Sequence, residues 1–137
     1  MVMLNIILYI STMKQTQVVA AIIKEKNRYL IVQRNRNKHL GLKWEFPGGK
    51  VGSKESFKNA LIREIKEELN IIIEVKEKIA EEEYKDHKID INLHYFLCKH
   101  IANAIELKEH ENIAWVKKKS FNQYDFAEGD GNILSLL

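Results

Sequence analysis

The stretch Gly49–Ile71 reads GKVGSKESFKNALIREIKEELNI and is the most informative part of this chain. Its second half has helical spacing, and Glu64, Glu67 and Glu68 follow one another at intervals that place them on one helical face. Like charges on one face repel, so stability alone does not account for them. A divalent cation would turn the repulsion into attraction, because carboxylate oxygens are hard ligands of the kind that Mg²⁺ takes up beside phosphates.

The segment before the helix strengthens this interpretation. Acidic pairs on helices are more often solvated surface, so the glutamates alone do not establish a metal site. They follow the run Trp44–Gly49, WEFPGG, in which Pro47 fixes φ and the two glycines allow positive φ. Such a turn can bring bare backbone close to a ligand. The pattern predicts a ligand site where a glycine turn meets an acidic helix.

Together the two segments resemble the Nudix box, the signature of the Nudix hydrolase family. The box has a glycine, five residues, a glutamate, seven residues and then Arg-Glu-apolar-any-Glu-Glu-any-Gly-apolar. The matching residues here are Gly49, Glu55, Arg63, Glu64, Ile65, Glu67, Glu68 and Ile71. The one departure is Asn70, where the family has glycine. Asparagine is the next best residue for the left-handed conformation that a helix end often needs.

The resemblance implies a metal site. Glu67 and Glu68 would bind Mg²⁺, with Mn²⁺ as an alternative ion, helped by the main-chain carbonyl of Gly48 or Gly49. Glu64 would be a ligand or the general base. Metal ions neutralise a phosphate chain and lower the pKa of a bound water, and a nearby carboxylate can take the proton of that water.

The family pattern also places an acidic residue in a loop before a late strand. Glu109 occupies that place and is expected to join the metal or act as base, with Glu111 as the fallback. Glu55 and Arg63 are expected to form an ion pair that joins the loop to the helix.

From about Gln15 onward the chain resembles the MutT branch of the family, in the segments VVAAIIKEKNRYLIVQRN, KHLGLKWEFPGGKV and DFAEGDGNIL. Members of that branch convert oxidised guanine nucleotides such as 8-oxo-dGTP to the monophosphate and pyrophosphate. The resemblance therefore implies a Mg²⁺-dependent hydrolase of 8-oxo-dGTP or dGTP, which clears the nucleotide pool and avoids mutations.

The same resemblance suggests residues that bind the nucleotide. Arg34 matches a phosphate-contacting arginine, and His39, Glu45 and Phe46 lie in segments that line the nucleotide site. Asp130 falls where MutT-type proteins carry an Asn or Asp that reads the purine edge. An ionised aspartate only accepts hydrogen bonds, so base selectivity stays open. Asp130 also precedes a predicted helix, so a capping role is the alternative.

Other functions fit parts of the pattern. A pyrimidine pyrophosphohydrolase acting on CTP or a modified dCTP shares the WEFPGGK run. A catalytically inactive nucleotide-sensing module would keep the fold, although the intact Glu64, Glu67 and Glu68 count against it. Messenger-RNA decapping and dinucleoside polyphosphate cleavage rank lower, since we identify no additional RNA-binding segment.

Length and composition predict one soluble domain. The chain has 137 residues, 45% hydrophobic and 30% charged. The single Cys98 cannot form an internal disulfide, which favours the cytoplasm. The net charge of +3 does not favour duplex nucleic acid. We expect a monomer that binds a nucleoside triphosphate and neither duplex nucleic acid nor a membrane.

The first residues form a separate segment. Residues 1–12 are apolar and uncharged, too short to span a bilayer and without the basic start of a secretory signal. We interpret them as an extension of uncertain role, from an upstream start codon or as an extra strand. Residues 13–137 are expected to form the single Nudix domain.

The periodicity of apolar residues predicts a mixed sheet covered by helices. The resemblance independently implies the Nudix α/β/α sandwich, which is a mixed β-sheet flanked by helices. A helix is predicted over residues 55–69 with Ser53 as N-cap, and a short final helix over 132–137. The predicted strands are 18–23, 29–33, 44–46, 71–75, 89–97 and 112–116.

Overall fold

Strand β1 (Thr16–Glu25) is the centre of the fold in the computed structural model, which describes residues 15–127 and 130–137. One edge of β1 pairs in parallel with β6 (Asp90–Ala102). Its other edge pairs antiparallel first with β4 (Gly48–Lys50) and then with β2 (Arg28–Gln33). Because β1 has partners on both edges, it is buried along most of its length.

The remaining strands extend the sheet on both sides. Strands β3 (Trp44–Glu45) and β7 (Asn112–Lys117) pair antiparallel with β2. Strand β5 (Ile72–Lys85) pairs antiparallel with β6, with register shifts between Val75 and Ala80. The described residues thus form a seven-stranded sheet, which is mixed as the sequence predicts. Six of the strands were predicted, and the seventh, β4, lies in the predicted glycine turn. The predicted extension, residues 1–12, lies outside the described residues.

The alternation of β1 creates two cores, one on each face of the sheet. Val19, Ala21 and Ile23 pack with the buried face of helix α1 (Phe57–Leu69). Ala20 and Ile22 pack with an aromatic cluster on the opposite face. That second face is covered by the 3-10 helices Lys118–Gln123 and Ile133–Leu136, each of which buries one residue. The predicted fold class, a mixed sheet flanked by helices, is confirmed.

Helix α1 begins later than predicted. Its N-cap is Ser56, whose side-chain oxygen accepts a hydrogen bond from the Asn59 amide at 3.1 Å, so the expectation of Ser53 as the cap is wrong. Ser56 has an extended backbone and satisfies an amide that would otherwise lack a helical partner. Glu55 consequently lies in the loop, where its carboxylate is free to contact the helix from outside.

The end of α1 follows the expected geometry. Asn70 is left-handed, with φ of 62°, and its amide donates to the Lys66 carbonyl at 3.0 Å. The side chain of Lys66 also donates to the Asn70 side-chain oxygen, at 3.0 Å. Asparagine tolerates this conformation better than other non-glycine residues, which accounts for the departure from the family motif.

Other predicted elements differ in extent. Strand β5 runs to Lys85, whereas the prediction stopped at Val75. The prediction was too short because charged residues on the solvent face of this edge strand hide the alternation of apolar and polar side chains. The hairpin between β1 and β2 is present, and its turn residues Lys26 and Asn27 both have positive φ. The predicted final helix is only the 3-10 turn noted above.

Two substitutions test the end of α1. Asn70→Ala leaves a left-handed backbone without the side chain that tolerates it, and we expect the free energy of unfolding to fall by about 1 kcal/mol. Asn70→Gly accepts the same φ and should change it by less than about 0.5 kcal/mol. Urea denaturation measures both, and equal losses would contradict a conformational role for Asn70.

Candidate active site

A cavity of about 420 Å³ opens where the glycine turn, α1 and the sheet meet. It brings together many of the predicted site residues, which are far apart in the sequence. The acidic end contains Gly48, Gly49, Glu64, Glu68 and Glu109. The other walls contain Arg34, His39, Glu45, Phe46 and Asp130.

The glycine turn is shaped by contact with its neighbours. A Cβ built on Gly49 would lie 2.4 Å from the carboxylate carbon of Glu64, and one on Gly48 would lie 1.9 Å from the Val19 carbonyl oxygen. None of the described glycines has a positive φ, so the positive φ that the two glycines allow is not used here. Gly48 is needed because its backbone passes β1 at a distance that no side chain permits, whereas a side chain on Gly49 would have to displace the Glu64 carboxylate.

Arg63 is the hub of the acidic helix. Its guanidinium donates to both Glu55 oxygens at 2.8 Å, to Glu64 at 2.9 Å and to Glu67 at 3.3 Å. It also donates to the Lys50 carbonyl at 3.1 Å, which joins α1 to β4. The ion pair to Arg63, helped by the Gly52 amide, lowers the pKa of Glu55 to about 2. The loop and the helix are therefore joined where the motif places Glu55 and Arg63.

The carboxylates are not gathered as a finished ligand set. Within residues 15–127 and 130–137, no three His, Cys, Asp or Glu side chains converge closely enough to hold a metal ion. Arg63 accounts for this, because it binds Glu64 and Glu67 on the side of the helix. Glu67 does not line the cavity, and its side chain is 59% exposed.

Glu68 nevertheless fits a cation site. Its Oε2 is buried and has no hydrogen-bond partner among the described residues. Burial, and then the negative charges of Glu64, Glu45 and Glu109, raise the pKa of Glu68 to about 8. A buried carboxylate that lacks a donor is costly unless a cation compensates it. The donor set of carboxylates beside main-chain carbonyls is the one that Mg²⁺ prefers.

Glu109 and Glu111 occupy different surroundings. Glu109 lines the cavity and lies 3.4 Å from the Lys38 ammonium, with its side chain 57% exposed. Glu111 accepts from the guanidinium and the amide of Arg36 at 3.0 and 3.1 Å, outside the cavity wall. Position therefore favours Glu109 over Glu111 as the additional carboxylate.

Arg34 is held in place on the opposite wall. Its Nη1 donates to Glu45 at 2.9 Å, and its Nε donates to the His39 carbonyl at 2.8 Å. The second oxygen of Glu45 lies 3.5 Å from Nε2 of His110. A guanidinium fixed in this way is a preorganised group for a phosphate, although Glu45 offsets part of its charge.

Asp130 is buried at the far end of the cavity. One of its oxygens accepts from the Phe46 amide at 3.0 Å and the other from the Tyr95 hydroxyl. These bonds cross to β6 and to the segment after β3, whereas the 3-10 turn Ile133–Leu136 has no side-chain cap, so the capping alternative is wrong. Burial is the main reason that the pKa of Asp130 is raised to about 7.

Several residues of the cavity were not predicted. Lys38 and His110 each precede or follow a predicted site residue, His39 and Glu109. For His110 the family pattern gave a signal, because its acidic residue is frequently followed by histidine, whereas Lys38 had none beyond its position. Tyr84 lines the wall from the end of strand β5. The register of the edge strand β5 against β6 decides that Tyr84 reaches the cavity, and no sequence motif indicates that register.

Comparison with known proteins shows which family this chain resembles. The NUDIX domain model matches residues 13–137. The CTP pyrophosphohydrolase of Escherichia coli (strain K12) is 35% identical over 118 residues, which cover 86% of this chain and 87% of that protein. The 8-oxo-dGTP diphosphatase of the same strain is 29% identical over 126 residues, covering 91% and 98%. The solution structure of the E. coli ORF135 protein is 34% identical, with a TM-score of 0.81, and covers 91% of this chain and 89% of its own.

The raised pKa of Glu68 predicts how stability depends on pH in metal-free protein. Folded Glu68 keeps its proton up to about pH 8, whereas the unfolded chain loses it near the ordinary pKa of 4.5. The stability that Glu68 contributes is therefore present below about pH 4.5 and is lost as the pH rises through about 8. With EDTA present, we expect the free energy of unfolding to fall over this range more steeply in wild type than in Glu68→Gln.

Glu74→Gln is the matched control, because Glu74 is an exposed residue of β5 outside the cavity. It should keep the wild-type slope. Asp130 shifts stability in the same direction, but it is present in every variant and cancels in the comparison. Equal slopes in wild type and Glu68→Gln would show that Glu68 titrates normally.

Proposed function

The chain belongs to the Nudix family, and on that premise we propose that it is a Mg²⁺-dependent nucleoside triphosphate pyrophosphohydrolase that releases pyrophosphate and leaves the monophosphate. The observation that carries the proposal is the buried Oε2 of Glu68, which lies in the cavity wall beside Glu64 and Gly49 and has no hydrogen-bond partner among the residues described. A protein that only bound nucleotides would have no need to bury a carboxylate group at this cost.

The residues that would hold the ion are Glu64, Glu67, Glu68 and Glu109, with the carbonyl of Gly48 or Gly49. Bound Mg²⁺ would neutralise the phosphate chain and lower the pKa of water. Glu64 is already placed, because the glycine turn packs on its carboxylate. Glu67 would have to leave Arg63, which keeps Glu55 as its main partner.

The proton of the attacking water has two candidate acceptors. Glu64 is fixed between Gly49 and Arg63, which gives it a defined position. Glu109 is more exposed, and its ion-pair partner among the described residues is Lys38, whose side chain is flexible. Both line the cavity, and either carboxylate can take the proton and release it to solvent.

The phosphates would lie against the wall of the cavity that contains Arg34 and Lys38. Arg34 is preorganised by Glu45 and by the His39 carbonyl, and Lys38 lies beside Glu109. These two side chains and the divalent ion together would offset part of the charge of a triphosphate. Binding at this wall holds the chain of phosphates in line with the acidic end, which contributes through orientation.

The base would occupy the end of the cavity near Phe46 and Asp130. We place 8-oxo-dGTP and dGTP first, with a role in clearing the nucleotide pool of the cytoplasm before DNA replication. CTP or a modified dCTP is the second candidate, favoured by the 35% identity to a CTP pyrophosphohydrolase. A carboxyl group with a pKa of about 7 is both an acceptor and, when protonated, a donor, so it can pair with the edge of either base.

A nucleotide panel tests the proposal. Purified protein is incubated with 8-oxo-dGTP, dGTP, CTP and a modified dCTP at saturating Mg²⁺, and products are identified by chromatography. Pyrophosphate with monophosphate is the expected pair. If 8-oxo-dGTP is no better than dGTP or CTP, the assignment to oxidised guanine fails, and binding without any pyrophosphate release would identify a sensing module instead.

Glu68→Gln should lose the most activity. It removes one negative charge from the proposed metal site while keeping the size of the side chain, and we expect turnover to fall by at least about 100-fold. Glu74→Gln, at an exposed position of β5, should keep wild-type turnover. Near-normal turnover in Glu68→Gln would show that the metal ion is held elsewhere.

Asp130→Asn tests the recognition of the base. The pKa of Asp130 is about 7, so the donor proton is present below that pH and is lost as the pH rises through it. An asparagine donates at every pH, and it can still accept from Phe46 and donate to the Tyr95 oxygen. We expect kcat/KM of wild type, relative to Asp130→Asn, to fall between about pH 6 and about pH 8. A constant ratio would exclude a donor role for Asp130.

A further inference from the structure

Two segments far apart in the sequence face each other across the cavity. The first is the segment between β2 and β3, which supplies Arg34, His39 and Leu40 to the wall. The second is the end of β5 and the turn after it, which supplies Tyr84 and Ile89. Asp86, in that turn, lies outside the wall and contacts residues of both segments.

The carboxylate of Asp86 divides its two oxygens between two tasks. Oδ1 accepts from the amides of Lys88 and Ile89 at 2.7 and 2.9 Å, which fixes its own turn. Oδ2 lies 2.9 Å from Nε2 of His39 and accepts from the Tyr84 hydroxyl at 2.9 Å. The amides are the main reason that the pKa of Asp86 lies well below its usual range, so Asp86 is an ionised acceptor at neutral pH.

The ionised Asp86 determines which ring nitrogen of His39 carries the hydrogen. Because Oδ2 has only lone pairs to offer, Nε2 of His39 must carry the hydrogen. In the neutral ring the other nitrogen, Nδ1, is then an acceptor. The carbonyl of the same residue accepts from Arg34 Nε at 2.8 Å, so the position of His39 also bears on Arg34.

The segment needs such an anchor because its backbone is strained. Leu40 and Leu42 have φ of 56° and 66°, in the left-handed region that residues with branched bulky side chains avoid. Each is unfavourable relative to an ordinary right-handed or extended conformation. Strained residues persist only where their surroundings hold them, and they are frequent at ligand sites. Asp86 holds the residue immediately before Leu40.

We infer that Asp86 is a positioning residue for nucleotide binding, which fixes the Nε2–H tautomer of His39 and holds the segment 34–43 against the cavity. The inference rests on the proposed function, since a nucleotide is the ligand that His39 and Arg34 would meet. Asp86 itself touches no substrate. It acts through His39, and its loss should weaken binding of the nucleotide without changing the chemical step.

Asp86→Asn is the sharpest variant. The amide oxygen can still accept from Lys88 and Ile89, while an amide nitrogen replaces Oδ2 and cannot accept from His39. We expect KM for the substrate found with the nucleotide panel to rise about tenfold, in the range seen when the partner of a ligand-contacting side chain is removed, with kcat within about twofold. Nitrogen-15 NMR should show His39 changing from the Nε2–H to the Nδ1–H tautomer.

Glu25→Gln is the matched control. Glu25 forms a comparable pair with a histidine, 3.3 Å from Nδ1 of His100, and it lies outside the cavity. It should leave KM, kcat and the His39 tautomer unchanged. Thermal unfolding of both variants shows whether each is folded before kinetics are compared.

A double-mutant cycle with His39→Ala decides whether Asp86 acts through His39. In the His39→Ala background, Asp86→Asn should raise KM by less than about twofold further. An equal rise in both backgrounds, an unchanged tautomer in Asp86→Asn, or a fall in kcat without a rise in KM would each overturn the inference.

Affinity for an analogue of the panel nucleotide separates this inference from the proposed function. In this analogue an imido group replaces the α,β-bridging oxygen, so the bond that pyrophosphate release would break is not hydrolysed. If wild type is active, and Asp86→Asn has the same activity and the same affinity for the analogue, only the role of Asp86 is overturned. A wild type that binds the analogue without releasing pyrophosphate from the natural nucleotide would sink the proposed reaction, and the roughly tenfold loss of affinity in Asp86→Asn would still support the positioning role. A wild type that binds no analogue overturns both.

Discussion

The contact between the Gly49 backbone and the Glu64 carboxylate is the constraint on which the site depends. A side chain on Gly49 would displace that carboxylate, and Arg63 joins the helix that carries the acids to the strand that carries the turn through the Lys50 carbonyl. Gly48 makes the same kind of contact with β1 on the other side. The acidic helix is thereby joined to the central strand, and the cavity forms along that junction. A mobile glycine loop could not perform this task.

Electrostatic balance explains the state of the acidic residues. Arg63 neutralises the glutamates on the flank of α1, while the buried Oε2 of Glu68 has no donor in the part of the chain that the structure describes. The negative charges of this helix are therefore balanced by Arg63 on the flank and by the raised pKa of about 8 at Glu68, which favours its protonated form. Uptake of a divalent ion would then exchange a proton for a metal at Glu68, which couples metal binding to pH.

Local patterns predicted the parts of the molecule that local chemistry determines. The motif located Glu55, Arg63, Glu64 and Glu68, and the helix end at Asn70 followed from backbone conformation alone. The sequence was less informative where a feature depends on tertiary register. Asp86 belongs to no motif and reaches His39 only because β5 and β6 extend far enough to place their turn beside the segment 34–43. The length of β5 was hidden because an edge strand need not alternate.

The parallel pairing of β1 has a consequence for how the chain folds during synthesis. Thr16 pairs with Ile91 and Ile23 with Cys98, so the first strand is made long before its partner. At about 5–20 residues per second, several seconds pass before β6 leaves the ribosome. Throughout that interval an apolar strand with an unsatisfied edge is exposed, and such a strand is a natural ligand for holdase chaperones. The nascent chain should therefore depend on protection by such chaperones until its last third has emerged.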